Sequence, residues 1–76
     1  MEELIELKTI LKDRFADKLQ DEIRTDRTLG QLGLDSLDCL EFADYVELRF
    51  GMNFNGSNYP VTTTRIDEII QFIKGK

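Results

Sequence analysis

The chain has 76 residues, 41% hydrophobic and 33% charged, with a formal net charge of −5, a single cysteine and no histidine. That length suits one domain, residues 1–76, burying about 60% of its unfolded surface in one modest core, and the apolar supply is too rich for a disordered chain. An internal disulfide, a zinc site and histidine-based catalysis are excluded, no metal site is expected, and the net charge argues against a nucleic-acid backbone as partner, since counterion release needs clustered Lys and Arg. No apolar run approaches the ~18 residues of a membrane span, and Met1-Glu2-Glu3 lacks the basic start of a secretory signal, so a cytoplasmic monomer is expected.

Leu4, Leu7, Leu11, Phe15 and Leu19 recur at spacings of three and four, which predicts an amphipathic helix from Glu3 to Leu19. Between Gln20 and Gly33 the period lapses, and Gly30 and Gly33 are expected to break any helix. This stretch reads as a long loop pinned by Ile23, Leu29, Leu32 and Leu34. A second helix is expected from Ser36 to Phe50, with Asp35 or Ser36 as its cap and Gly51 as its stop. Residues 52–64, rich in Asn and Gly and holding the only proline, predict a loop with at most one short irregular helical turn. A last helix runs from about Arg65 to Lys74 with Thr64 as N-cap and Ile66, Ile69, Ile70 and Ile73 on one face. The expected fold is therefore all-α: a small bundle of three main helices, each stripe buried against the others, with a long loop between the first and second.

The second helix carries the functional signal. On a wheel of about 100° per residue, Cys39, Phe42, Ala43, Val46 and Phe50 share a core face. Leu37, Asp38, Leu40, Glu41, Asp44, Glu47 and Leu48 lie opposite. Leucines among acids on a wet face suit docking, the acids steering a basic partner and the leucines adding apolar contact. A solvated face with stray leucines fits the same pattern. Cys39 reads as a small packing residue, because neighbouring Asp35 and Asp38 oppose a lowered thiol pKa.

The run Leu32-Gly33-Leu34-Asp35-Ser36-Leu37-Asp38, followed by a helix with acids at Glu41 and Glu47, closely resembles the acyl carrier protein family, and the likeness covers almost the whole chain. The resemblance implies an acyl-carrier-like bundle with 4'-phosphopantetheine esterified to Ser36 as the covalent cofactor. It implies further that Asp35, beside the attachment site, faces the modifying enzyme and its metal ion. It implies no catalytic residue in the chain itself and acyl chains as cargo. The implied partners are a phosphopantetheinyl transferase and acyl-transferring, condensing or acyl-activating enzymes with basic docking patches. Simple capping by Asp35 and Ser36 is compatible with the same residues. The partner-recognition helix of the family corresponds to Leu37, Asp38, Leu40, Glu41, Asp44, Glu47 and Leu48. Phe42, Val46, Phe50, Ile66, Ile69 and Ile73 are candidates to line an acyl pocket, with ordinary core packing as their alternative.

The sequence also departs from the family's pattern. Leu48-Arg49 stands in part of an acidic run, Asp44 stands where an apolar residue is common, and Asn53 to Pro60 replaces a short helix. These differences fall on the partner-facing surface and point to a specialised rather than a housekeeping pathway. An aminoacyl or peptidyl carrier, including a D-alanyl carrier, is the alternative. Asp35 in place of the histidine common before the serine of peptidyl carriers weighs against it. An unmodified acidic interaction module is the alternative from a different class.

Overall fold

The computed structural model describes residues 2–56 and 58–75. Four helices follow one another: α1 (Glu2–Arg14), α2 (Leu29–Leu32), α3 (Ser36–Phe50) and α4 (Ile66–Lys74). Leu7, Leu11 and Phe15 of the first segment meet Phe42, Ala43 and Val46 of α3 and Ile66, Ile69 and Ile70 of α4 in one continuous core. Leu7, Leu11, Phe42, Val46 and Ile66 are fully buried, each contributing about 1.5–3 kcal/mol by burial.

α1 is shorter than its apolar period suggests. The Phe15 amide still bonds Leu11 O at 2.9 Å, but the chain then turns, and the Gln20 amide donates to Leu32 O at 2.9 Å. A long-range backbone bond thus takes the place of the helix's last turn. Gly33 makes this crossing possible. Its φ is +110°, and a Cβ there would lie 2.0 Å from Lys18 O.

The loop expected over 20–33 contains a helix, α2, and Gly30 does not break it. Thr28 Oγ1 accepts from the Gln31 amide at 3.1 Å while Gln31 Oε1 accepts from the Thr28 amide at 2.8 Å, a reciprocal cap. The Leu29 and Gly30 amides donate to Thr64 O and Thr62 O at 2.9 and 2.8 Å, and an antiparallel bridge joins Thr28 to Arg65. The start of α2 is thereby tied to the start of α4. The short helical turn allowed for residues 52–64 is absent among the described residues, which run there as irregular chain and turns.

α3 has the expected bounds, with Asp35 rather than Ser36 as its cap and Gly51, at φ +62°, as its end. α4 begins at Ile66, one residue later than the Thr64 cap predicted. Thr64 Oγ1 is engaged by the Val61 amide at 3.0 Å, and Arg65 is the N-cap, its amide donating to Glu68 Oε1 at 2.8 Å. Ile66, Ile69 and Ile70 are buried and Ile73 half-buried, as the spacing required.

Candidate functional site

Ser36 is the first residue of α3 and is exposed. The first amides of a helix have no partner within it, and Asp35 takes up that deficit. Asp35 Oδ1 accepts from the Asp38 amide at 2.9 Å, and Asp38 Oδ2 accepts from the Asp35 amide at 3.2 Å. The capping is thus done by the acids on either side. No hydrogen bond ties the Ser36 hydroxyl among the described residues, so it is left facing solvent. The bond from the Asp38 amide, with Lys18 and the Leu37 amide adding to it, holds the Asp35 carboxyl below its ordinary value.

Asp38 is a correction to the helical-wheel reading. It was expected on the wet, partner-facing side but is only 8% exposed, because its carboxylate turns back to close the cap and meets Lys18 Nζ at 3.5 Å. Glu47 is also drawn inward: half-buried, it accepts from the Phe54 amide at 2.7 Å and fixes the chain after α3. The rest of the expected docking residues are exposed together. Leu37 is 70% and Leu48 81% exposed, and Leu40, Glu41 and Asp44 are exposed beside them.

Cys39, one turn into α3, is 1% exposed. Burial first, then Asp38 and Asp35, push its thiol up to about 11, so it is a packing residue and not a nucleophile.

Of the acyl-pocket candidates, Phe42, Val46, Ile66 and Ile69 are buried, while Phe50 and Ile73 are half-buried at the core's margin. Phe42 meets Phe15 edge-on, ring centroids 6.2 Å apart. These side chains belong to the core shared with α1 and α4. A small cleft of about 180 Å³ lies between the 52–64 segment and α4, walled by Phe54, Tyr59, Val61, Ile69 and Phe72 with Asn58, Thr64 and Glu68 as its polar side. Phe54 stacks on Phe72 at 5.2 Å, and Tyr59 reaches across to α3, its hydroxyl 3.4 Å from Leu40 O and from Asp44. Burial, with Asp44 and Glu47 nearby, raises the Tyr59 hydroxyl above its ordinary value. Of the cleft's walls, the sequence marks only Ile69 as a pocket candidate. Phe54 and Tyr59 sit in an aperiodic segment, where two aromatics close together are the one available signal, and Phe72 joins them from α4.

The start of α3 can hold a phosphoryl group esterified to Ser36. The hydroxyl is untied and exposed, the helix start favours negative charge, and Lys18 Nζ stands over the neighbouring cap. Fewer amides are free there than a bare helix start offers, because Asp35 already engages those of Asp38 and Leu37.

A family model described as phosphopantetheine attachment site matches residues 3–73. Neither a curated protein nor a solved structure matches the chain.

Proposed function

The chain belongs to the phosphopantetheine attachment site family, carrier proteins that hold 4'-phosphopantetheine covalently on a serine, and on that premise we propose that Ser36 is that serine and that acyl groups are its cargo. The observation that carries this reading is an exposed, untied serine hydroxyl at a helix start whose capping is done by Asp35 and Asp38. When attached, the arm supplies a terminal thiol that carries the cargo as a thioester.

The residues of the chain then have separate tasks. Asp35 and Asp38 fix the backbone under Ser36. Gly33 and the Gln20–Leu32 bond hold the turn before it. Leu37, Leu40, Glu41, Asp44 and Leu48 form the surface met by a phosphopantetheinyl transferase and by acyl-transferring, condensing or acyl-activating enzymes, the acids orienting basic groups of the partner. Bond-making chemistry belongs to those enzymes. We place the protein in fatty-acid, lipid or polyketide-type biosynthesis, on a specialised branch and in the cytoplasm. The altered docking helix and the aromatic 52–64 segment support the specialised branch. The packing of Phe42 against Phe15 and the small volume of the cleft beside Tyr59 favour a short cargo over a long sheltered chain.

Incubation with coenzyme A and a broad-specificity phosphopantetheinyl transferase tests the reading by intact mass. Wild type gains the mass of one phosphopantetheine and Ser36→Ala gains none. An unchanged mass in folded wild type overturns it.

A further inference from the structure

Three charged side chains of α3 are already engaged within the fold. Asp38 is closed into the cap, Glu47 is bonded to the Phe54 amide, and Arg49 is paired with Glu6 across to α1. Glu41 and Asp44 are the exposed acids that remain, and both lie on one line with Leu37 and Leu48. At about 100° per residue these four positions fall within roughly 60° of arc and span about 16 Å along the helix. The line is apolar at both ends and acidic only in the middle.

At its far end Leu48 forms one wall of an open groove of about 420 Å³ between α1 and α3. Thr9, Ile10 and Asp13 of α1 and Tyr45 of α3 complete it. Its ends are closed by the Arg49–Glu6 pair and by Arg14, whose guanidinium lies 4.9 Å over the Tyr45 ring. Arg49 is paired with Glu6, while Arg14 keeps its charge over the ring. With Asp13 the lining holds two acids and two bases, so the groove is close to neutral, and the attraction for a basic partner comes from Glu41 and Asp44 beside it.

We propose that the docking surface extends past the middle of α3 into this groove, and that its partner presents basic groups to Glu41 and Asp44 together with an apolar side chain seated between Leu48 and α1. This deepens the carrier reading, on which it rests, by defining the kind of partner: a mixed surface, basic at its centre and apolar at one end, rather than a continuous basic strip. Binding to such a surface depends on Leu48 as much as on either acid. It also responds less to salt than binding through a row of four acids does.

The test uses isotopically labelled Ser36→Ala protein, so that docking is read without modification, titrated with a broad-specificity phosphopantetheinyl transferase and coenzyme A. The proposal expects amide shifts along Leu37, Glu41, Asp44 and Leu48 that continue into Thr9–Asp13. Leu48→Asp should weaken binding at least about tenfold, and Thr9→Arg, an exposed change that fills the groove from the α1 side, at least about fivefold, both with native spectra. Raising salt from about 50 to about 300 mM should weaken wild-type binding less than about fivefold. Shifts that stop at Asp44, variant affinities within about twofold of the parent, a steep salt response, or no binding would each overturn it. Intact mass of wild type under the same conditions reports separately on the carrier reading.

Discussion

Replacing Gly33 by alanine should cost more than any other single methyl group added to this chain. Two penalties coincide there. A φ of +110° is a conformation that L residues avoid, at about 1–3 kcal/mol. The new Cβ would also stand 2.0 Å from Lys18 O, a backbone atom held by the turn after α1, and relieving such overpacking costs about 1–3 kcal/mol more. The sum, roughly 2–6 kcal/mol, is a large share of the ~4–11 kcal/mol expected for a domain of this size. Gly51→Ala is the internal control, since its φ of +62° carries a conformational penalty but a Cβ there meets nothing within 4 Å. It should lose only about 1–2 kcal/mol. Urea denaturation of the three proteins, with a slope of about 1 kcal/mol/M, would separate them by one to several molar in midpoint. Equal losses at Gly33 and Gly51 would refute the claim that a close backbone crossing positions the turn before Ser36.

Ser36→Ala should leave stability within about 0.5 kcal/mol of wild type, because Asp35 and not Ser36 caps α3; a larger loss in urea would assign the serine a structural task. The Asp35 carboxyl is held below its ordinary value of 3.8, chiefly by the bond from the Asp38 amide, so its contribution to stability is full above that value and fades as pH falls through the lowered one. Asp35→Asn, which keeps a capping oxygen but does not titrate, should show a shallower stability loss below about pH 4, and identical pH profiles would contradict this. With its thiol raised to about 11, Cys39 is about a thousandth thiolate at pH 8 and buried. A thiol reagent should label it over 100-fold more slowly in native than in urea-unfolded protein, and a native rate within about tenfold would count against the packing assignment.

The parts of this fold that local sequence can specify were legible. α3 has a capping acid, a clear apolar period and a glycine stop, so its bounds, its core face and the place of Ser36 followed directly. The first helix's end did not, because the bond from the Gln20 amide to Leu32 O replaces its last turn, and no residue between Phe15 and Leu19 marks the change. α2 was hidden by Gly30 and by its four-residue length. Its stability comes from Thr62 and Thr64, more than thirty residues away, although Thr28-x-x-Gln31 was a readable capping signal. Asp38 misled the wheel for a related reason: angular position puts it toward solvent, but its short side chain folds back onto the cap. The Phe54–Tyr59–Phe72 cleft joins an aperiodic segment to α4, and no period in either predicts that meeting.

The central claim is most directly tested by locating the modification. The chain has two serines, Ser36 and Ser57, and cleavage after Arg and Lys places them in different peptides, Thr28–Arg49 and Phe50–Arg65. After reaction with coenzyme A and a phosphopantetheinyl transferase, fragmentation should find the added phosphopantetheine on Ser36 within the first peptide and leave the second at its unmodified mass. Addition to the second peptide, or none to either in the folded protein, would contradict the assignment.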